Sequence, residues 1–285
     1  MLKPVECLAA VEAAAEAKAA APKRKLLILG MLAGAFIALA GLAATFVSAW
    51  TVVGSDMYGA TKVLSGVVFA AGLIMVVLGG AELFTGNCLM ITGVLARKIT
   101  VGKMLKNWLW VYLGNFLGAL LVALLAYWGG LYGGNNYAVG NALATIAENK
   151  MNIDFDRAVV LGILCNFLVC MAVWLAFAAE TVQGKILAII FPITVFIICG
   201  FEHSVANMFY IPAGCLAGEG LSMGGIIYNL LPVTFGNIIG GGVFVAIAYH
   251  FALKNDKMSL CLTKTNSPAQ SQGKNLKKSS VKSKK

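Results

Sequence analysis

Residues 79–87 read GGAELFTGN and interrupt an apolar stretch that is otherwise long enough to cross a membrane. The uncharged run 63–81 leads into them, and the apolar segment CLMITGVLA follows at 88–96. A charge at the centre of a bilayer costs about 2.5–3.5 kcal/mol on insertion scales, and unwound backbone at that depth is tolerated only inside protein or beside a cavity. The stretch therefore predicts a membrane helix that is broken where it meets a pathway or a protein interior.

The composition predicts an all-α polytopic membrane protein. The 285 residues are 60% hydrophobic and 12% charged, with a mean hydropathy of +0.84, whereas charged residues make up about a quarter of soluble domains. A membrane span needs about 20 apolar residues. We predict six transmembrane helices, at roughly 26–53, 61–95, 104–131, 157–179, 185–212 and 226–253.

The distribution of positive charge predicts how the chain is oriented. With both termini in the cytoplasm, 19 of the 22 Lys and Arg residues fall on that side, and only Lys62, Lys150 and Arg157 fall on the other. Positive charge retained on the cytoplasmic side is the usual bias of membrane proteins. We therefore expect a multi-pass protein of the plasma membrane with cytoplasmic termini. The net charge of +10 is explained by this bias, so no nucleic-acid partner is expected.

Three regions are predicted along the chain. Residues 1–25 are expected to form a cytoplasmic amphipathic helix at the membrane surface. Residues 26–253 are expected to form the six-span domain, and residues 254–285 a basic, disordered cytoplasmic tail. The tail is interpreted first as solvated, with contact to anionic membrane lipid as the alternative. The seven cysteines lack metal-ligand spacing, so they are interpreted as buried thiols, and neither a metal nor another cofactor is expected.

The interrupted stretch recurs later in the chain. Residues 80–87 (GAELFTGN) and 200–207 (GFEHSVAN) share the pattern G-x-E-x-x-x-x-N, and residues 107–118 and 229–240 share N-x6-G-N-x-x-G. The two halves, roughly 26–131 and 157–253, are therefore predicted to be repeats. Each repeat has three spans, so the second enters the membrane inverted. Inverted repeats place their site near the midplane, on discontinuous helices, which here are the broken second and fifth spans.

The carboxylates at the breaks are interpreted first as structural. Glu82 and Glu202 are predicted to cap freed backbone N–H groups and hold the broken helices together. A substrate-binding or proton-relay role stays open for both, and Glu202 is counted among the pathway candidates. Gly86, Asn87 and Gly200 are predicted to be structural residues of the breaks, and Asn207 is predicted to lie on the substrate pathway.

The side chains expected to carry function are His203 and Thr85. His203 is the intramembrane histidine away from an interface, since His250 lies near the end of the sixth span. Because imidazole titrates near neutral pH, His203 is predicted to share a proton with a weak-acid anion, and the Thr85 hydroxyl can hydrogen-bond to the ring.

Other candidates lie around these two residues. Lys150, in an otherwise acidic outer loop, either attracts anions to the mouth of a pathway or is a solvated loop lysine. Asn166 lies in the middle of a span, where it serves either structure or the pathway. Phe69, Leu83 and Phe196 are apolar residues near the breaks that can form constrictions and strip water.

Five segments together resemble the formate/nitrite transporter family: AELFTGN, KNWLWVYLGNFLGALL, GILCNFLVCMAVW, GFEHSVANM and LPVTFGNIIGGG. The resemblance covers roughly residues 26–251 in order and is strongest toward the formate channels. It implies an aquaporin-like protomer in a homopentamer, each protomer with its own pore for anions such as formate, nitrite, hydrosulfide, acetate or lactate.

The resemblance also implies roles for residues. His203 corresponds to the central histidine and Thr85 to its partner on an Ω-shaped loop. Lys150 corresponds to the entrance lysine and Asn166 to the pore asparagine. The constriction residues correspond to Phe69, Leu73, Leu83 and Phe196.

We therefore expect a channel or transporter for a small monovalent anion, with formate favoured, and with proton-coupled permeation as one possible mode. Nitrite or hydrosulfide transport by the same fold is the alternative within transport. Outside transport, a membrane scaffold or sensor remains open. An enzyme is not expected, because the adjacent side chains His203 and Ser204 would point about 100° apart on a helix and make a poor nucleophile–base pair.

Overall fold

The structure is a computed structural model that describes residues 1–49, 56–134, 136–218 and 223–265, with the side chains of 223 and 257–265 excluded. Within these ranges, six helices are long and apolar enough to span a membrane, which confirms the predicted class. The first five are α2 (Lys23–Ser48), α3 (Tyr58–Gly79), α5 (Val101–Trp128), α7 (Phe155–Ala178) and α8 (Val182–Cys199). The sixth consists of α10 (Met223–Gly241), a π-helical segment (Gly242–Ile247) and α11 (Ala248–Thr265).

Shorter helices complete the fold. They are α1 (Pro4–Ala20), a 3₁₀ segment (Gly86–Met90), α4 (Ile91–Leu95), a second 3₁₀ segment (Leu131–Gly133), α6 (Ala138–Met151) and α9 (Ser204–Ala217). The loop predicted around Lys150 is thus helical, because α6 extends to Met151. In the predicted tail, α11 continues to Thr265, and residues 266–285 lie outside the described ranges.

The second and fifth apolar runs are each divided where the chain leaves the helix at a glycine. Helix α3 is followed by Gly80 with φ +70°, and α8 is followed by Gly200 with φ +68°. Both angles lie in the left-handed region, which glycine adopts without steric cost. Helical structure resumes at Gly86 in the first half and at Ser204 in the second.

The long helices pack in the same way in both halves. Helix α2 contacts α3 and α5, while α7 contacts α8 and α10, and α3 meets α8 between the halves. A Cβ atom at Gly118 would overlap the Met31 carbonyl, and one at Gly240 would overlap the Ile163 carbonyl. Small residues therefore let the backbones approach, which is the common basis of helix association in lipid.

The helices α1 and α6 lie against the ends of this bundle. Helix α1 contacts α4, α7 and α11, and it buries Cys7, Leu8 and Val11. Its start is fixed to the end of α7, because the Leu2 amide donates to the Ala178 carbonyl at 2.9 Å. Helix α6 packs against α9. We refer below to the α1 end and the α6 end of the bundle.

Candidate functional site

The backbone of the first break is held by Asn115, a buried residue of α5. Its Nδ2 donates to the carbonyls of Gly30 and Glu82, at 2.8 and 2.9 Å. Its Oδ1 accepts from the Phe84 amide at 2.9 Å. Unpaired backbone groups inside a membrane protein cost several kcal/mol each. The Asn115 side chain therefore satisfies three backbone groups: two in the first break and the Gly30 carbonyl of α2.

Asn237 of α10 repeats this arrangement at the second break. Its Nδ2 donates to the carbonyls of Gly162 and Glu202, at 2.8 and 2.9 Å. Its Oδ1 accepts from the Ser204 amide at 2.9 Å. The two asparagines are the G-N positions of the repeated pattern N-x6-G-N-x-x-G, so the pattern marks the residues that hold the breaks.

The carboxylates have a role different from the one predicted. Glu82 Oε2 accepts hydrogen bonds from Lys18 Nζ and from Asn87 Nδ2, both at 2.7 Å. The prediction that Glu82 caps backbone N–H groups is therefore wrong. The physical reason is that Asn115 already satisfies the backbone, and a lysine ammonium offers the carboxylate a stronger, charge-assisted bond.

The same correction applies to Glu202. Its two carboxylate oxygens accept from Lys150 Nζ at 2.8 Å and from Asn207 Nδ2 at 2.6 Å. Asn207 also donates to Asn229 Oδ1 at 2.7 Å, and Asn229 donates to the Lys150 carbonyl at 2.8 Å. Lys150 is thus an ion-paired residue of α6, whose side chain is 15% exposed, rather than a solvated loop lysine.

Lys18 is the functional candidate that sequence reasoning missed. Asn87 donates to Asn107 Oδ1 at 2.9 Å, and Asn107 donates to the Lys18 carbonyl at 3.2 Å. These bonds reproduce the network around Lys150, so α1 and α6 also correspond. The sequence carried a signal for this match, because residues 15–18 (AEAK) and 147–150 (AENK) share the pattern A-E-x-K.

The two breaks meet at His203 and Thr85. Both side chains are buried, and Thr85 Oγ1 lies 2.9 Å from His203 Nε2. His203 is also the N-cap of α9, since its Nδ1 accepts from the Ala206 amide at 3.0 Å. An acceptor nitrogen carries no proton, so the ring hydrogen of the neutral tautomer is on Nε2 and is donated to Thr85. The hydroxyl hydrogen of Thr85 is then free to point at another acceptor.

Asn166 holds the backbone of Thr85 in place through a hydrogen bond. Its Nδ2 donates to the Thr85 carbonyl at 3.2 Å and to the Asn237 carbonyl at 2.6 Å. The Cys170 thiol donates to the same Thr85 carbonyl at 3.3 Å. Asn166 Nδ2 therefore donates to backbone carbonyls of the first break and of α10, which favours the structural alternative for this residue.

Apolar side chains enclose the His203–Thr85 pair. The rings of Phe69 and Phe196 are in edge contact with centroids 5.5 Å apart, and Phe196 stacks on His203 at 6.0 Å. Leu73 and Leu83 are buried in the same hydrophobic cluster. The four residues predicted as constrictions thus lie in the core near the breaks.

A cavity of about 240 Å³ opens at the α1 end. Lys18, Glu82 and Asn87 line it, together with Gly86 of the first break. Leu73 and Leu83 also line it, so the cavity extends from the Lys18 ion pair to the apolar cluster. Within the described ranges, no three His, Cys, Asp or Glu side chains are grouped to hold a metal ion.

Known proteins share both the sequence and the fold. "Formate channel FocA" of Escherichia coli (strain K12) is 37% identical over 268 residues, which are 87% of this chain and 93% of the relative. "Formate channel BtFdhC" of Bacillus thuringiensis is 43% identical over 229 residues, covering 79% of this chain and 85% of the relative.

Two solved structures superpose on the chain. The "FNT family ion channel" has a TM-score of 0.78 and 31% identity, covering 87% of this chain and 98% of that one. The "Pentameric formate channel with formate bound" has a TM-score of 0.71 and 33% identity, covering 81% and 97%. The sequence profile described as "Formate/nitrite transporter" matches residues 5–251. The chain is therefore a multi-pass membrane protein that belongs to the formate/nitrite transporter family.

Proposed function

We propose that this protein is a transmembrane channel or transporter for small monovalent anions, and that formate is its physiological substrate. Membership of the family supports the transport class. The choice of formate is supported by the relatives named as formate channels and by the structural neighbour named with formate bound. We further propose a homopentamer in the plasma membrane with both termini in the cytoplasm, following that neighbour's name and the distribution of positive charge.

The observation that carries the proposal is the buried hydrogen bond between Thr85 and His203. An anion that leaves water loses its hydration, and inside an apolar constriction it needs hydrogen-bond donors to replace that loss. Thr85 offers its hydroxyl hydrogen there, because its oxygen already accepts from the His203 ring. The Phe69 and Phe196 rings exclude water around this donor.

Lys18 and Lys150 would raise the anion concentration at the two ends of the pathway. Each ammonium is bonded to a single carboxylate, at 2.7 and 2.8 Å. Lysine has three N–H donors, so each retains donor capacity for an anion while its own carboxylate balances its charge. A weakly attracting mouth suits permeation, since an anion that is bound too tightly does not leave.

In this proposal His203 works as a neutral hydrogen-bond donor rather than as an acid. An imidazolium needs a proton on Nδ1, and that nitrogen accepts the Ala206 amide of α9. Protonating Nδ1 would remove the N-cap, which typically contributes about 1 kcal/mol. The new N–H of the ring would then point at the N–H of Ala206, so two donors would face each other. Proton-linked transport through a transiently protonated His203 is the competing mechanism, and its signature is a pH-dependent rate that disappears with the ring.

The test is flux into proteoliposomes with formate, nitrite, hydrosulfide and lactate at several pH values. We expect formate to move fastest, and we expect His203→Ala to lower its rate by about 100-fold, because one or two buried hydrogen bonds are lost. His203→Gln, a neutral donor, should retain more activity than His203→Ala at every pH. If no anion moves faster than in empty liposomes, the scaffold or sensor alternative replaces transport. A faster nitrite or hydrosulfide flux would change the substrate.

A further inference from the structure

A second lysine lines the cavity at the α1 end. Lys185 lies in the first turn of α8 and is half-buried, whereas Lys18 reaches the same cavity from α1. The walls between them are largely apolar and come from α1, α3 and α7: Val11, Val76, Val77, Val173, Ala176 and Phe177. Lys185 is also one of the 19 positive charges predicted on the cytoplasmic side.

The two lysines differ in how their charge is balanced. Lys18 Nζ donates to the Glu82 carboxylate at 2.7 Å and to Asn87 Oδ1 at 2.9 Å. The Lys185 side chain makes no hydrogen bond or ion pair with any group in the described part of the chain. One positive charge is therefore left over in a cavity whose apolar walls concentrate its field.

The other half of the molecule has no such charge at the matching position. The two breaks are related by an interval of 120 residues, so the counterpart of Lys185 is Ser65 in α3. Ser65 is buried, and its hydroxyl donates to the Ala44 carbonyl at 3.4 Å. The Lys18–Glu82 pair and the Lys150–Glu202 pair correspond to each other, whereas Lys185 has no charged counterpart in the other half.

We propose that Lys185 is the residue that captures the anion at the α1 end, before the anion reaches Lys18 and the Leu73–Leu83 constriction. This inference rests on the anion transport proposed above. The ligand class is a small monovalent anion such as a short monocarboxylate. Lys18 passes the anion on, because its own charge is already shared with Glu82.

The test is a charge series at one position, measured as formate uptake into proteoliposomes at formate concentrations well below saturation. At low ionic strength, Lys185→Gln should be about three-fold slower than wild type, since one uncompensated charge is removed near the path. Lys185→Glu, which has the same shape as the glutamine variant, should be slower again, and Lys185→Arg should stay close to wild type. These differences should shrink in about 1 M salt, where the screening length falls to about 3 Å.

The matched control is Lys106→Gln, which removes an exposed lysine near the start of α5 that does not line the cavity. Its uptake should equal that of wild type at both ionic strengths. The inference is overturned if Lys185→Gln and Lys185→Glu match wild type at both ionic strengths, or if Lys106→Gln slows uptake as much as Lys185→Gln does. A wild-type protein that carries no formate would instead overturn the proposed function. Should the glutamate variant fail to fold, the glutamine and arginine variants still decide the outcome.

Discussion

The two breaks are held by the same kinds of residues, which we call the frame, and they differ in the residues at their centre. In both, an asparagine of the following long helix satisfies the interrupted backbone, and a glutamate is bonded to a lysine and to a second asparagine. Between the ends of the pattern that the two halves share, the residues differ: LFTG at 83–86 in the first half and HSVA at 203–206 in the second. Leu83 occupies the position of His203, and Thr85 that of Val205.

The comparison separates the residues that hold the breaks from the hydrogen-bonded pair at their centre. The frame residues repeat because both halves must satisfy the same backbone groups in an apolar surrounding. The centre does not repeat, because one hydroxyl and one imidazole suffice to make a hydrogen-bonded pair between the two halves. Each polar residue at the centre has an apolar residue at the corresponding position of the other half, so the two breaks together contribute one hydroxyl and one imidazole.

The largest loss of stability is expected from substitutions of the two frame asparagines. Asn115→Asp and Asn237→Asp keep the size of the side chain but replace its N–H donors by an oxygen that faces two carbonyls, at 2.8 and 2.9 Å in both halves. Each change should destabilise the protein by about 3 kcal/mol or more, because buried groups lose partners and gain repulsion. The yield of monodisperse protein and the thermal unfolding temperature in detergent measure this effect.

Asn141→Asp, at an exposed position of α6, is the matched control and should leave stability unchanged. The equivalence of the halves predicts equal losses for Asn115 and Asn237. A loss confined to one of them would break the comparison, since the frame would then matter in only one half.

The next effect concerns the ion pairs. Lys18→Met and Lys150→Met each leave a buried carboxylate without its cation, which should cost about 2 kcal/mol or more. Lys150→Met should cost more, because the Lys150 and Glu202 side chains are 15% and 8% exposed, against 26% and 12% for Lys18 and Glu82. Thermal unfolding measures both. The double variant Lys150→Met with Glu202→Gln should recover part of the loss, and a double variant as unstable as the single one would contradict the ion-pair explanation.

The centre of the site gives a functional effect rather than a stability effect. Thr85→Val keeps the shape and removes the hydroxyl, so the anion loses its donor and the His203 ring loses its acceptor. Formate flux should fall about ten-fold, which corresponds to about 1.4 kcal/mol and to roughly one hydrogen bond. Thr85→Ser should keep most of the flux. Unchanged flux in the valine variant would show that the pair is only a structural contact.

The sequence predicted the parts of this site that depend on periodicity and repetition. Hydropathy located six spans, and the repeated patterns located both breaks, whereas the role of Asn115 and Asn237 emerged only from the structure. It missed the role of Glu82, because its partner Lys18 lies 64 residues away in a helix that looked separate from the domain. It missed the role of Glu202 because the partner Lys150 lies 52 residues away, in a segment interpreted as an outer loop. The short A-E-x-K match between residues 15–18 and 147–150 is too weak to be recognised as a repeat from the sequence alone. Which donor satisfies which acceptor depends on three-dimensional contacts that no local pattern encodes.

The smallest effect tests a difference between α1 and α6. Lys98 Nζ contacts Glu16 at 2.7 Å and the buried Glu12 at 3.7 Å, whereas Glu148, the counterpart of Glu16 in α6, has no ion pair among the described residues. The hydrogen bond to Glu16 raises the pKa of Lys98 above its ordinary value, with partial burial opposing it. The pair's contribution is therefore present at pH values below the unfolded pKa of about 10.4 and is lost as the pH rises through the raised value.

Glu16→Gln should consequently lower stability by about 0.5 kcal/mol near neutral pH, as expected for a partly exposed pair. The difference from wild type should vanish above the raised pKa of Lys98, where the lysine is neutral in both proteins. Thermal unfolding as a function of pH measures this, with Glu148→Gln as the control that should match wild type throughout. Equal losses in Glu16→Gln and Glu148→Gln would show that the ion pair is not what distinguishes α1 from α6. A deficit in Glu16→Gln that persists at high pH would show that Glu16 acts through packing or through another partner.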